Sequence, residues 1–219
     1  MTQKSMFPKE LHDQIKASKV VAVLVIDDAA HAVPVAQALL RGGIGAMELT
    51  LRTPAALPAL KAIKAEVPEM LAGIGTILTT EQVDAVVEAG AAFGVAPGMN
   101  AKIVKYAQDK GLPFGPGIMT PSDIEAAIEL GCRTIKFFPA ETSGGLKHLQ
   151  GMVAPYQHLG LDFIPLGGLN SKNMVDYLKS PLISAIGGSW IAKKDVINAE
   201  DWDTIEANAR EARTIADSI

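Results

Sequence analysis

The sequence lacks the residues and patterns that mark several common classes of site. Its 219 residues include one cysteine, Cys132, which excludes an intrachain disulfide and a cysteine-rich zinc module. The formal net charge is −4 and there is no basic block, so we expect neither a nucleic-acid partner nor binding to an anionic membrane. No apolar run approaches the roughly 20 residues that cross a bilayer, and the N-terminus carries no apolar leader. These absences predict an unanchored protein of a reducing compartment, with the cytoplasm as the default.

Short apolar runs are abundant instead. Hydrophobic residues make up 48% and charged residues 20% of the chain, which suits a single domain over residues 1–219 with a substantial core. Eight runs start about 20 to 28 residues apart, which leaves room for strand, turn, helix and turn. Because they are apolar almost throughout, they predict strands buried on both faces, as in a parallel sheet. The runs begin at Val20, Ile44, Leu71, Ala91, Leu112, Arg133, Leu161 and Leu182.

Helical stretches lie between the runs and carry start and stop signals. Stretches such as TTEQVDAVVEAG and TPSDIEAAIELG end in glycine, which suits the left-handed position that closes a helix. A leading helix is expected at about residues 8–17 and a closing helix at about residues 199–217. The candidate N-caps are Thr79 or Thr80, Asn100, and Thr120 or Ser122.

Eight strand–helix units predict an α/β fold, a single compact (β/α)8 TIM barrel with an extra N-terminal helix. A doubly wound open sheet is the alternative, but it normally has fewer strands, and no G-x-G-x-x-G follows the first strand. In barrels the active site lies at the carboxyl ends of the strands. Functional residues are therefore expected where the apolar runs end.

Polar residues stand at several of these ends. One acid, one guanidinium, one hydroxyl and one lysine would converge on the same mouth of the barrel. In chain order, the run ends carry Glu48 and Arg52 (second run), Thr76 (third), Pro97 (fourth), and Lys136 with Phe138 (sixth).

Lys136 interrupts the apolar run RTIKFFPAE, where burying an ammonium group is costly. One interpretation is an edge or ion-paired lysine whose amine reaches solvent. The other is a nucleophile that forms a Schiff base with a carbonyl compound, which requires an unprotonated amine. Apolar surroundings and a nearby cation such as Arg52 would both favour the neutral amine. The residues alone leave both interpretations open.

Glu48 also has two interpretations. It neutralises Lys136 in an inert ion pair, or it acts as a general acid/base whose burial allows it to exchange protons near neutrality. Arg52 is either a solvated loop residue or a planar fork matched to a carboxylate.

Glycine pairs end the seventh and eighth runs, at Gly167 and Gly168 and at Gly187 and Gly188, with Ser189 directly after the second pair. Paired glycines also serve tight turns. After the last two strands of a barrel, however, backbone N–H groups commonly bind phosphate, so we expect a phosphate or similar anion here.

No metal site and no cofactor are expected. The four histidines show no metal-ligand spacing and lie in or near predicted helices, which favours surface or packing roles. Cys132 follows a helix-ending glycine and is expected to be a small buried hydrophobic residue.

Six ordered motifs together resemble a known family. MELTLRTP, GIGTIL, VAPG, IKFFPAE, GG and GGSW are similar in order and spacing to the class I aldolases that act on 2-keto-3-deoxy-6-phosphogluconate (KDPG) and 4-hydroxy-2-oxoglutarate (KHG). The likeness covers nearly the whole chain. It implies a homotrimeric (β/α)8 barrel, a small-molecule keto acid as substrate and a pyruvate imine.

The resemblance also implies roles for individual residues. Lys136 would be the Schiff-base lysine and Glu48 the acid/base, working partly through water. Arg52 and Thr76 would hold the pyruvate carboxylate. The remaining residues would line the pocket or cradle the phosphate of the aldehyde half: Pro97 and Phe138 for the pocket, and Gly167, Gly168, Gly188 and Ser189 for the phosphate.

The sequence departs from the family pattern at Leu166, which stands where the family usually has threonine before the paired glycines. A hydroxyl able to bond the C4 hydroxyl or the aldehyde oxygen of the substrate is therefore missing. Because sites use such polar contacts to reject analogues, the C4 configuration and the aldehyde are left open.

The resemblance implies cleavage of the C3–C4 bond of KDPG, or of KHG, to pyruvate and glyceraldehyde 3-phosphate or glyoxylate. An aldolase for a related 2-keto-3-deoxy sugar acid, such as the galactonate epimer, is an alternative. So is a phosphosugar isomerase or epimerase that uses Glu48 as base without an imine. A non-catalytic binder of a phosphorylated sugar acid is the third, and it would be stabilised by ligand without releasing pyruvate.

Overall fold

The computed structural model describes residues 7–219; the first six residues, which the predicted single domain includes, lie outside the described part. The chain forms an α/β fold in which every assigned strand pairing is parallel. The strands are β1 Val20–Leu24, β2 Ala46–Thr50, β3 Leu71–Gly75, β4 Gly94–Val95, β5 Phe114–Gly115, β6 Gly117–Ile118, β7 Thr134–Phe137, β8 Asp162–Pro165 and β9 Ile186–Gly188.

Helices alternate with the strands along the chain. A leading helix precedes β1, and a long closing helix follows the last strand. The α-helices are α1 Lys9–Ser18, α2 Ala32–Arg41, α3 Ala56–Glu66, α4 Thr80–Ala89, α5 Ala101–Asp109, α6 Pro121–Glu129, α7 Gly145–Val153, α8 Met174–Leu178, α9 Lys194–Asn198 and α10 Trp202–Asp217. None of the helices within residues 7–219 is long and apolar enough to cross a membrane.

The strands form two parallel sheets. The first has six strands in the order β5-β4-β3-β2-β1-β9, and the second has three in the order β6-β7-β8. The fifth apolar run holds two strand segments because Pro116, which has no N–H, lies between β5 and β6. β5 pairs with β4 and β6 with β7, so this run adjoins both sheets. Between β8 and β9, isolated bridges join Phe163 to Ile183 and Leu166 to Gly187.

Two apolar clusters lie on opposite faces of the strands. The larger one packs the outer faces of the strands against the helices, for example through Leu24, Leu39 and Ile63, each 1% exposed or less. Helix α1 belongs to the second cluster. Its buried Leu11 and Ile15 contact residues from the amino-terminal halves of several strands, among them Val21, Ala46, Phe93 and Ala185, together with Phe7 just before the helix.

Helix α1 therefore covers the inner side of the strands at their amino-terminal ends. Burying a leucine or isoleucine side chain contributes about 1.5–3 kcal/mol, so Leu11 and Ile15 together hold the helix firmly. The loops that carry the candidate site lie at the carboxyl ends of the strands.

The predicted helix signals are confirmed. Thr79 and Thr120, rather than their neighbours Thr80 and Ser122, cap α4 and α6 in full capping boxes. Asn100 caps α5 by accepting from two backbone N–H groups. Gly90 closes α4 in the left-handed conformation with φ 77°. The leading and closing helices were predicted within about three residues of their observed ends.

Candidate active site

Lys136 and Glu48 meet inside the fold, although they lie on strands of different sheets. Lys136 Nζ is 3.1 Å from Glu48 Oε1 and 3.3 Å from Oε2. Lys136 is 7% exposed and Glu48 is 3% exposed. The lysine therefore does not extend into bulk solvent, and the carboxylate rather than Arg52 is its charged contact.

Strand alternation explains why Glu48 points inward. Side chains two positions apart share a face of a strand, and Ala46 on β2 packs in the inner cluster with α1. Glu48 lies on that same face, one step closer to the carboxyl end. On β7, Lys136 pairs in register with Gly117 on one side and Ile164 on the other.

Gly75 on β3 makes the room that the Glu48 carboxylate occupies. Glu48 is in register with Gly73, so Gly75 lies two residues further along the neighbouring strand. A Cβ atom at Gly75 would lie 1.8 Å from Glu48 Oε1, far inside van der Waals contact. Only glycine at this position is compatible with the observed carboxylate.

We expect Gly75→Ala to displace Glu48 from Lys136. Crowding in a packed interior costs about 1–3 kcal/mol of stability, and the loss of the carboxylate contact should slow proton transfer at this site. Thermal unfolding measures the first effect, and hydrogen–deuterium exchange at the methyl group of pyruvate, the keto acid that the sequence resemblance implies, measures the second. Gly45→Ala is the matched control, since a Cβ there has no atom of residues 7–219 within 4 Å. Unchanged exchange in Gly75→Ala would contradict the expectation.

The buried pair balances attraction against desolvation. Taking both charges out of water is expensive, and removing one partner of such a pair typically costs about 3–5 kcal/mol because the other charge is left uncompensated. At 3.1 Å, Glu48 Oε1 is also within direct proton-transfer distance of the lysine nitrogen. An inert ion pair and an acid/base pair both require this contact.

A small cavity adjoins the pair on the side of helix α1. Its volume is about 20 Å³, which is room for about one water molecule. Polar groups on its wall belong to Glu48, Lys136 and Thr134, and the rest of the lining is mainly apolar and includes Leu166. Leu166 therefore faces the same interior as the lysine and the glutamate.

Arg52 lies two residues beyond β2 and is exposed. Its Nε donates to the hydroxyl of Thr50 at 3.1 Å, and that hydroxyl donates to the carbonyl of Leu24 at 2.9 Å. Thr50, which sequence reasoning missed, thus connects the guanidinium to β1. Among the described residues, the terminal nitrogens of Arg52 have no hydrogen-bond acceptor and are available to a ligand.

Thr76, directly after β3, has a φ of 66°. The left-handed region is unfavourable for a β-branched residue and costs about 1–3 kcal/mol. Strained residues of this kind are concentrated at functional sites. The sequence indicated the hydroxyl at this position but not its backbone conformation.

Pro97 and Phe138 both lie near Lys136. The ring centroid of Phe138 is 5.6 Å from Lys136 Nζ. The backbone of Pro97 packs against Gly117, the register partner of Lys136, because a Cβ on Gly117 would lie 2.2 Å from the Pro97 carbonyl oxygen. The Phe138–Pro139 peptide bond is cis.

The first glycine pair forms a turn beside these residues. Gly167 and Gly168 have φ values of 99° and 84°. A Cβ on Gly167 would lie 3.4 Å from the Phe138 ring. Within residues 7–219, the backbone N–H groups of Gly168 and Leu169 have no acceptor, so both are available to an anion or to water.

The second glycine pair is arranged differently. Gly188 is buried under the ring of Trp190, where a Cβ would lie 1.6 Å from a ring carbon, and Ser189 beside it is exposed. Gly187 faces Leu166, since a Cβ there would lie 2.5 Å from Leu166 Cγ. Gly187, the first residue of the second pair at which the sequence predicts an anion, therefore packs against Leu166 in the interior.

No group of three or more histidine, cysteine, aspartate and glutamate side chains within residues 7–219 is placed to hold a metal ion. Burial raises the pKa of the Cys132 thiol to about 12, so it stays protonated and is a poor nucleophile.

Comparison with known proteins gives a consistent likeness. A family model described as KDPG and KHG aldolase matches residues 11–208. The chain is 42% identical over 193 residues to the KHG/KDPG aldolase of Escherichia coli (strain K12), with 88% of this chain and 90% of that protein covered.

Solved structures resemble the chain equally well. A KDPG aldolase from Legionella pneumophila, with pyruvate captured at low pH as a covalent carbinolamine intermediate, has a TM-score of 0.86 at 36% identity, covering 91% of this chain and 96% of that one. The KDPG aldolase of Zymomonas mobilis ZM4 with 3-phosphoglycerate has a TM-score of 0.83 at 39% identity, covering 92% and 94%. The segment matched by the family model contains every strand described above.

Proposed function

The chain belongs to the KDPG and KHG aldolase family, and we propose that it cleaves KDPG to pyruvate and glyceraldehyde 3-phosphate through an imine on Lys136. It is accordingly a carbon–carbon lyase of the Schiff-base type. The observation that carries the proposal is the buried Lys136 amine, held 3.1 Å from a carboxylate oxygen near the carboxyl end of β7. The carbinolamine of pyruvate in the Legionella relative is the addition product that such an amine forms.

The chemistry follows from these two groups. The neutral amine of Lys136 attacks the C2 carbonyl of the keto acid, and Glu48 takes up the proton that the nitrogen loses. Loss of water from the carbinolamine gives an iminium ion, which accepts the electron pair of the C3–C4 bond when the C4 hydroxyl is deprotonated. The aldehyde leaves, and the enamine receives a proton at C3. Hydrolysis of the imine releases pyruvate and restores the amine.

Glu48 suits the proton transfers because it touches the reacting nitrogen. A carboxylate that receives the amine proton in the first step can return it at a later one, directly or through a water molecule. The small cavity beside the pair has room for about one water. The imine nitrogen itself serves as the electron sink, so the scheme uses no metal and no cofactor.

Arg52 and Thr76 would bind the carboxylate of the keto acid. The guanidinium is positioned by Thr50, and its planar fork matches a carboxylate. Thr76 would add its hydroxyl, and Pro97 and Phe138 would enclose the methyl side of pyruvate. The strain at Thr76, φ 66°, supports a functional role, because strained residues are concentrated at functional sites.

We expect Thr76→Gly to preserve or raise stability while weakening pyruvate binding. Glycine adopts the left-handed conformation without the strain of about 1–3 kcal/mol, although its unfolded state is more flexible by about 0.5–1 kcal/mol. Thermal unfolding and the half-saturating pyruvate concentration for borohydride inactivation test both parts. Glu200→Gly is the control, since Glu200 also has a positive φ, 55°, but lies between α9 and α10. A destabilised Thr76→Gly variant with unchanged pyruvate binding would contradict the expectation.

The glycine turns would hold the phosphate. Within residues 7–219, the turn at Gly167 and Gly168 offers backbone donors without acceptors, and Gly188 and Ser189 lie at the carboxyl end of the neighbouring strand β9. The Zymomonas relative carries 3-phosphoglycerate, a phosphorylated acid.

Leu166 favours a second candidate within the same reaction class. Its buried apolar side chain lines the interior beside Lys136 and Glu48 and offers no hydroxyl to a substrate oxygen. An aldolase that acts on the galactonate epimer, or on KHG, has the same imine chemistry with a different aldehyde half.

The finer architecture is also part of the proposal. We propose that residues 1–219 form one domain in which the two sheets close into a (β/α)8 barrel, with β5 and β6 as one interrupted strand and α1 as an extra helix across its amino-terminal end. The bridges from Phe163 to Ile183 and from Leu166 to Gly187 support closure. The inner cluster, which joins α1 to residues of several strands, supports it as well.

A homotrimer in the cytoplasm completes the proposal. Two large apolar side chains near the carboxyl ends of β3 and β6, Leu78 at 52% exposure and Met119 at 44%, are candidates for subunit contact. Light scattering should give three times the mass of one chain, and paired Leu78→Asp and Met119→Asp substitutions should lower it.

A pyruvate-release assay tests the function. KDPG, its galactonate epimer and KHG are compared, and borohydride reduction in the presence of pyruvate is followed by peptide mass mapping. We expect release from KDPG and an adduct on Lys136. Turnover of a phosphosugar without any reducible adduct would instead identify an isomerase, and ligand-induced thermal stabilisation without pyruvate release would identify a binder.

A further inference from the structure

The loop after β7 is joined to the glycine turn after β8 by backbone hydrogen bonds. The N–H of Ala140 donates to the carbonyl of Leu166 at 2.8 Å, and the N–H of Glu141 donates to the carbonyl of Gly167 at 3.0 Å. In a trans peptide the carbonyl and the following N–H point in opposite directions. Because the Gly167 carbonyl faces Glu141, the N–H of Gly168 points away from it.

The next peptide is held in the same way. The carbonyl of Gly168 accepts from the side-chain amides of Asn170 at 3.3 Å and Asn173 at 3.2 Å. The N–H of Leu169 therefore points to the opposite side. The bonded carbonyls thus fix the directions of the Gly168 and Leu169 N–H groups, and neither N–H has an acceptor among residues 7–219.

The Glu141 side chain packs against this turn. A Cβ on Gly168 would lie 2.6 Å from Glu141 Cβ and 2.8 Å from its Cγ, so the glutamate stem lies directly on the glycine. A carboxylate this close to a proposed phosphate site would repel the phosphate unless its charge were held and directed elsewhere.

Tyr177 on α8 holds that carboxylate. Its hydroxyl donates to Glu141 Oε1 at 2.5 Å, and the tyrosine is 2% exposed. Burial, and then the hydrogen bond to Glu141, raise the pKa of Tyr177 well above its usual range, so the hydroxyl remains a donor. Gly145 leaves space for the contact, since a Cβ there would lie 3.2 Å from Glu141 Oε1 and 3.3 Å from the tyrosine oxygen.

We propose that Glu141 and Tyr177 are positioning residues that fix the glycine turn for the phosphate of the substrate and thereby set the preference for phosphorylated acids. Neither residue touches the reacting atoms: Tyr177 restrains Glu141, and Glu141 restrains Gly167 and Gly168. The inference rests on the proposed function, because it needs a phosphate in this turn.

Tyr177→Phe is the principal test, measured with KDPG and KHG as substrates. We expect the KM for KDPG to rise roughly tenfold, the size of a lost hydrogen bond to a charged group, with kcat little changed. The KM for KHG and the half-saturating pyruvate concentration in borohydride trapping should stay the same, since neither ligand carries a phosphate. Tyr156→Phe is the matched control, because Tyr156 donates to Glu125 at 2.7 Å on another part of the surface.

Two variants of Glu141 separate the effect of its contact with Tyr177 from the effect of its negative charge. Glu141→Gln keeps an oxygen acceptor for Tyr177 and should retain the wild-type KM for KDPG or lower it. Glu141→Ala removes the contact and should behave like Tyr177→Phe. Because Glu141 is exposed, both variants are expected to fold even if Tyr177→Phe does not.

The outcomes are distinguishable. Equal changes for KDPG and KHG, or none, would overturn the positioning role while leaving the aldolase intact. If the wild-type protein released pyruvate from KDPG and KHG equally well, that result would contradict the proposed phosphate site. Absence of any pyruvate release would count against the proposed function, and with it the inference.

Discussion

Lys136→Arg is expected to abolish aldolase activity while keeping the fold. Arginine preserves a positive charge beside Glu48 but cannot form an imine, so the substitution separates a nucleophile from an inert ion pair. Loss of a covalent nucleophile lowers kcat by a factor on the order of 10⁵ to 10⁶. Pyruvate release from KDPG and the mass of the borohydride-reduced protein are the two measurements, and no pyruvate adduct should form.

The matched control is Lys194→Met. Lys194 pairs with Asp27 at 2.9 Å but is half exposed, so it lacks the burial of Lys136. Its loss should leave both the adduct and the rate unchanged. If Lys136→Arg kept wild-type activity, or if the adduct mapped to another lysine, the imine on Lys136 would be ruled out. Lys136→Met, an uncharged chain of similar length, gives a second variant should the larger guanidinium fail to fit.

Glu48→Gln should separate imine formation from proton transfer. The amide can still contact Lys136 Nζ, but it cannot accept or deliver a proton, and a positioned acid/base contributes about 10² to 10⁴ in rate. We expect deuterium exchange at the pyruvate methyl group to fall by a factor in that range. Borohydride trapping on Lys136 at saturating pyruvate should persist.

Glu206→Gln serves as the control for this variant. Its carboxylate binds Arg41 and Arg210 on the helical exterior, each at 2.6 Å, and takes no part in the proposed site. If Glu48→Gln exchanged deuterium at the wild-type rate, Glu48 would serve only as a counterion of the lysine. Parallel loss of trapping and exchange would mean that Glu48 is needed to free the amine in the first place.

The strands and helix ends were predictable because their signals are local. Every predicted apolar run contains a strand, and the observed caps Thr79 and Thr120 were each one of two predicted candidates. The interruption at Pro116 could also be read from the sequence, since proline cannot donate to a strand partner. It was missed because the apolar run continues through it.

The residue types that meet at the candidate site were predictable. A lysine in an apolar strand and a glutamate in another both stand out against their neighbours, and the barrel expectation brought them to one end. The atomic arrangement was not predictable in this way. Gly75 acts through a missing side chain, Thr76 through its backbone angle, and Tyr177 through a contact 36 positions away along the chain. None of these leaves a periodic or local trace.

The separation of Lys136 and Glu48 along the chain determines when their contact can form during synthesis. Their contact spans 88 positions and joins strands of two different sheets. A nascent or partly denatured chain therefore lacks this contact, and any chemistry that depends on the pair must wait until synthesis has passed β7 and both strands have come together.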